Sequence, residues 1–189
     1  MALAVAGAGG VLQVLTFRGA TGWQIESVVG SLLHLRGAET MRMESGSWRI
    51  GATTGLVSIA MFVVAAPICL WSSWRGARSD RIGAGWLASV SALLLLSALF
   101  SAQFVIWLAP AGAIAWAQGD RRLGVLTLLV IVMTQIMWSW YGGVQAGDLP
   151  ALLTVVARNL MLAALAVCAI VSLAQTTGRQ RKNQVASTA

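Results

Sequence analysis

Five apolar stretches, residues 50–71, 82–100, 104–117, 123–141 and 149–174, follow one another with short polar joints between them. A hydrocarbon core about 30 Å thick takes roughly 17 to 25 residues of helix, because each residue rises about 1.5 Å and every backbone polar group must be satisfied within the segment. The stretch at 104–117 is short for a crossing and contains Pro110, so a tilt, a kink or partial re-entry is predicted there. Residues 1–17 are also apolar, with no Lys or Arg ahead of Arg18; they lack the basic start of a secretory signal and read as a further membrane helix. The expected fold is an all-α, polytopic integral membrane bundle of about six spans, forming one domain over residues 1–175. Composition agrees, since 58% apolar and 10% charged residues with a mean hydropathy of +0.77 argue against a soluble domain.

A net charge of +7 would suggest nucleic acid in a soluble chain, but here the basic residues lie in the joints and no nucleic-acid partner is expected. Arg75, Arg78 and Arg81 mark one joint, Arg121 and Arg122 another, and Arg179, Arg181 and Lys182 the tail; the joints at 101–103 and 142–148 hold neither Lys nor Arg. The positive-inside rule then places the basic joints and the C-terminus in the cytoplasm and residues 18–49 outside. That external loop is the one departure, with Arg18, Arg36, Arg42 and Arg49 nearly balanced by Glu26, Glu39 and Glu44. Trp48, Trp71, Trp74, Trp116, Trp138 and Trp140 fall near predicted span ends, as an interfacial aromatic belt requires. Residues 176–189 are polar and basic and read as a disordered cytoplasmic tail.

Between Trp23 and Leu35 the apolar residues Ile25, Val28, Val29, Leu32 and Leu33 recur at helical spacing, with Gln24, Glu26, Ser27, Ser31 and His34 in the gaps and Gly37 able to end the helix. The pattern describes one helix lying on the outer membrane surface, either purely structural or carrying Glu26 into a site. Arg158 stands eight residues after Pro150, about 12 Å into the last span, where a guanidinium must snorkel, pair or face a polar cavity. Asn159 beside it suggests a polar face, and the planar fork of donors suits an anion such as phosphate. Gln103 and Trp107, four apart, would share one face of an α-helix, as part of a turn or of a site. His34 has no companion ligand for a metal, Cys69 and Cys168 read as structural thiols within spans, and no cofactor is expected.

The run Phe100-Ser101-Ala102-Gln103-Phe104-Val105-Ile106-Trp107-Leu108-Ala109-Pro110 is similar to the Phe-Ser-Pro-Gln-Tyr-x-x-Trp-Leu-x-Pro signature of bacterial polytopic GT-C glycosyltransferases, mannosyltransferase-like membrane proteins that use polyprenyl-phosphate sugars. Gln24-Ile25-Glu26-Ser27 resembles that family's Arg-Gly-x-Gln-Ile-Glu-Ser segment, Gly46-Ser47-Trp48 the loop after it, and Arg158-Asn159 an Arg-Asn pair in a late membrane helix, all in the same order. Ala102, Phe104 and Thr21 stand where the family usually has Pro, Tyr and Arg. The resemblance covers nearly all of this chain but the C-terminal half of the family, whose catalytic acid lies in a first external loop upstream of the matched residues.

The resemblance implies transfer of a hexose, mannose by the same likeness, from a polyprenyl-phosphate carrier to a glycolipid or glycan acceptor at the outer face of a bacterial plasma membrane. Glu26 would be a supporting carboxylate, with Arg158, Asn159, Gln103, Trp107 and Gln24 binding substrate. Two other readings stand beside it. One is a small non-enzymatic membrane scaffold or partner subunit that keeps this half. The other is a transporter, which would need a polar path through the midplane beyond Arg158 and Asn159.

Overall fold

The computed structural model describes residues 21–37, 40–53 and 55–187, with side chains as far as Gln175; the apolar run at 1–17 lies outside these residues. Helix α1 spans Val28–Leu35, α2 Gly55–Arg78, α3 Ile82–Leu95, α4 Leu108–Ala117, α5 Arg121–Ser139, α6 Tyr141–Ala146 and α7 Leu149–Ser187; a 3-10 helix, Ala102–Trp107, leads into α4. Three of these are long and apolar enough to cross a membrane, over Leu56–Arg78, Arg121–Ser139 and Leu149–Gln175. Six full spans are thus not found among the described residues. The helix of α7 continues to Ser187, past residue 176, where the sequence predicts the disordered tail to begin.

The second apolar stretch leaves the helix after Leu95 instead of running to Phe100. Its 14 residues cover about 21 Å, short of a 30 Å core. Irregular backbone at such a depth needs internal partners. It has them: the Gln24 amide donates to the Ala98 carbonyl at 3.0 Å, and the Leu99 amide to Ser97 Oγ at 3.0 Å. The third stretch breaks at the 3-10 segment and not at Pro110, which is the third residue of α4. Pro110 therefore falls in the first turn of α4, where proline is tolerated.

Consecutive helices pack α2 on α3, α3 on α4 and α4 on α5, and α7 closes the bundle against α3 and α5. The core runs through Leu87, Phe100, Leu108, Leu123, Val130, Leu162 and Leu165. Small residues permit the approach: a Cβ on Gly85 would lie 2.8 Å from the Ser72 carbonyl oxygen, and one on Gly83 would overlap the Ala115 backbone. The outer surface of α2 is apolar, with Leu56 77% and Leu70 73% exposed. Large side chains so exposed along a helix long and apolar enough to cross a membrane suit contact with lipid.

The two ends of the bundle are distinct. At one end Arg75 Nε donates to the Leu173 carbonyl (3.3 Å) and Arg81 to Ser172 Oγ (2.5 Å), so the α2–α3 and α4–α5 turns meet α7 there. At the other end sits a cap built from residues 21–37 and 40–53. The all-α expectation is corrected here, because the cap holds a three-stranded antiparallel sheet of β1 (Trp23–Gln24), β2 (Arg42–Glu44) and β3 (Ser47–Ile50) in the order β1-β3-β2. The β2–β3 turn is Ser45-Gly46, with φ of 51° and 78°, and two left-handed residues match the twist of a tight hairpin. Helix α1 starts only at Val28, capped by Ser27 Oγ, which accepts from the Gly30 amide. Gly37, at φ 61°, follows its end, as the sequence predicts.

Candidate functional site

Glu26 sits in the turn between β1 and α1. Ile25, fully buried, anchors that turn, its amide donating to the Trp48 carbonyl at 3.1 Å. The Glu26 carboxylate, 2% exposed, accepts from the Ala102 amide at 2.6 Å, which ties the cap to the start of the 3-10 helix. The phenol of Tyr141 lies beside the same carboxylate. Tyr141 lies beyond the end of the α5 span at Ser139. Burial pushes its phenol up, and the neighbouring Glu26 carboxylate adds to the shift.

Arg158 and Asn159 stand behind this turn. Arg158 is fully buried, and its Nη2 donates to the Glu26 main-chain carbonyl at 2.7 Å while the guanidinium lies over Phe100, 4.0 Å from the ring centre. Asn159 Nδ2 reaches the same carbonyl at 3.4 Å and Ser31 Oγ at 3.1 Å. Arg158 Nε and Nη1 and Asn159 Oδ1 have no hydrogen-bond partner among the described residues. The pair therefore fixes the backbone that presents Glu26. Snorkelling is not how this arginine is accommodated: it turns inward to a carbonyl and an aromatic face.

In front of the turn a cleft of about 410 Å³ opens between the cap and the helix ends. Its wall includes Glu26, Gln24, Gln103, Gln145 and Tyr141 among the polar groups and Trp48, Trp138 and Phe104 among the rings. Trp138 and Tyr141 stack at 4.7 Å between ring centres. Within the cap Arg49, 1% exposed, ties β3 to the residues ahead of β1 by donating to the Gly22 carbonyl at 2.8 Å. Burial holds the Arg49 guanidinium below its usual range, with Glu44 opposing the shift. Burial would raise the Glu44 carboxyl, but hydrogen bonds from Thr21 and Gly22 and the charge of Arg42 hold it below the usual range.

Of the residues singled out in the sequence, Gln24, Glu26 and Gln103 line the cleft, Arg158 and Asn159 support it from behind, and Trp107 lies elsewhere. The expectation that Gln103 and Trp107 share a face is corrected. In a 3-10 helix of three residues per turn, an offset of four rotates a side chain by about 120°, whereas an offset of three eclipses. Phe104 and Trp107 accordingly stack, 4.9 Å between ring centres. They border a second, apolar groove of about 290 Å³ between α2 and α3, lined also by Met61, Phe62 and Leu93. Leu99 and Phe104 belong to both walls, so groove and cleft adjoin.

Sequence reasoning missed Tyr141 and Gln145 as site residues and assigned Trp138 to the belt alone. The signal available for Tyr141 was that it is the only tyrosine in the chain, next to a span end facing the cap. Among the described residues no three His, Cys, Asp or Glu side chains converge. Comparison with protein families, curated proteins and solved structures finds no match to this chain.

Proposed function

We propose that the chain binds a lipid-linked sugar and takes part in transferring its hexose to an acceptor at the outer membrane face, as a glycosyltransferase of the polyprenyl-phosphate-dependent kind. The observation that carries this reading is the junction of the two cavities: a polar, ring-lined cleft adjoins an apolar groove across Leu99 and Phe104. Such a pair suits an amphiphile. Pyranose C–H faces lie well on Trp48 and Trp138, and sugar hydroxyls find acceptors and donors in Glu26, Gln24, Gln103 and Gln145. The prenyl chain would follow the groove past Trp107 and Phe62.

In an inverting displacement the acceptor oxygen attacks the anomeric carbon, the sugar–phosphate bond breaks, and the electron pair leaves with the lipid phosphate. A carboxylate takes the acceptor proton. The resemblance assigns that base to a segment upstream of the residues matched here, and Glu26 then holds sugar hydroxyls with the lone pairs that the Ala102 amide leaves unused. Arg158 acts through the Glu26 carbonyl and is a positioning residue.

The test is binding of a radiolabelled polyprenyl-phosphate hexose to the purified full chain in detergent, with sugar-free polyprenyl phosphate as comparison. Glu26→Gln should weaken the glycosylated lipid about tenfold or more, the weight of a hydrogen bond to a charged group, and leave the sugar-free lipid unchanged. Equal affinity for the two lipids, with no effect of Glu26→Gln, would refute the reading. Transfer of label to endogenous acceptor lipids in membranes would then separate an enzyme from a binding subunit.

A further inference from the structure

At the end of the bundle opposite the cap lies the largest of the cavities described, about 560 Å³. From Arg122 to Trp138 along α5 the separation from the cleft is about 24 Å, so this cavity is independent of the function proposed above. Its rim carries Arg81, Arg121 and Arg122 with Asp120. Asp120 is already engaged: its carboxylate accepts from Ser172 Oγ at 2.7 Å and lies 3.7 Å from Arg81. Arg121 and Arg122 are exposed and make no hydrogen bond or ion pair among the described residues, so two positive charges face the cavity without internal compensation. Helix α5 begins here with no side-chain cap, which leaves its first amides available as well.

The opposite wall differs in character. Val167 and Val171, 60% and 45% exposed, belong to the spanning part of α7 and continue the apolar surface towards the bundle's middle. A soluble anion has no use for that wall, and a bare hydrocarbon none for the arginines. Only a molecule with a phosphate at the level of a helix end and a chain running along the helix uses both.

We infer that this cavity is a binding site for an anionic phospholipid, whose phosphodiester is held by Arg121 and Arg122 and whose acyl chain lies against Val167 and Val171. The purified full chain, in detergent doped with equal amounts of phosphatidylglycerol and phosphatidylcholine of the same chain length, is read by native mass spectrometry. Phosphatidylglycerol should be retained preferentially. Arg121→Gln and Arg122→Gln should each lower its retention about fivefold, and the double variant about 25-fold, from roughly 1 kcal/mol per arginine at a membrane surface. Arg36→Gln, an exposed arginine at the other end, is the charge-matched control and should change nothing. Both target arginines lack internal partners, so the variants should fold; thermal unfolding checks it. The inference is overturned if the double variant retains the lipid as the parent does, if phosphatidylcholine is retained equally, or if inorganic phosphate displaces phosphatidylglycerol at matching concentration, which would make it a free-anion site.

Discussion

Replacing Arg158 by Met keeps the unbranched stem of a fully buried side chain and removes its guanidinium. The loss has two parts. One is the 2.7 Å hydrogen bond to the Glu26 carbonyl, a charge-assisted contact worth about 1.5–3 kcal/mol. The other is the stack on Phe100 at 4.0 Å, worth about 1–2 kcal/mol when desolvated. Against this, the substitution relieves two buried N–H groups that have no partner among the described residues, at about 1 kcal/mol each. The net loss is about 2 kcal/mol, or roughly 4–8 °C in the unfolding midpoint of a chain this size. The assay is thermal unfolding of the purified, ligand-free full chain in detergent. Arg158→Lys keeps the charge without the planar stack and should recover about half of the loss. If Arg158→Met left the ligand-free midpoint within about 1 °C yet abolished lipid-phosphate binding, the guanidinium would serve a ligand and not the Glu26 turn.

The Tyr141 phenol is pushed above its ordinary value of 10.0, so it stays protonated in the fold. Its stabilising contribution is complete below about pH 10 and is lost as pH rises through the folded value. Because the chain has one tyrosine, absorbance at 295 nm reads it directly; native protein should titrate later than protein in denaturant, and coincident curves would refute its burial beside Glu26. Two glycines should respond oppositely to alanine. At Gly85 the new Cβ meets backbone of α2, 2.8 Å from the Ser72 carbonyl oxygen, and about 1–3 kcal/mol should be lost. At Gly142 in α6 nothing lies within 4 Å, and about 0.5–1 kcal/mol should be gained. Unfolding midpoints that shift in the same direction would refute the packing argument.

Hydropathy alone determined the apolar helices and the joints between them, because the length of a membrane helix is set by a slab of fixed thickness and the satisfaction of its own backbone, both local matters. Glu26 stood out as an acid beside apolar runs and Gln103 by its spacing from Trp107, whereas Gln24 was marked as a binding residue only by the likeness to the glycosyltransferase segment. The lengths of α3 and α4 were not legible. Where a helix stops inside an apolar run depends on who receives the freed backbone groups, and here the receiver is the cap: Gln24 bonds Ala98 and Glu26 bonds Ala102. The hairpin's Ser45-Gly46 turn was written in the sequence but obscured by the helical period on the segment before it. Arg158 was visible as a charge in need of a partner, but its acceptor is a carbonyl 132 residues earlier in the chain. A main-chain oxygen leaves no mark on residue identity. The cleft belongs wholly to the tertiary structure, because its carboxylate, its amides and its rings come from segments that only helix packing brings to one end of the bundle.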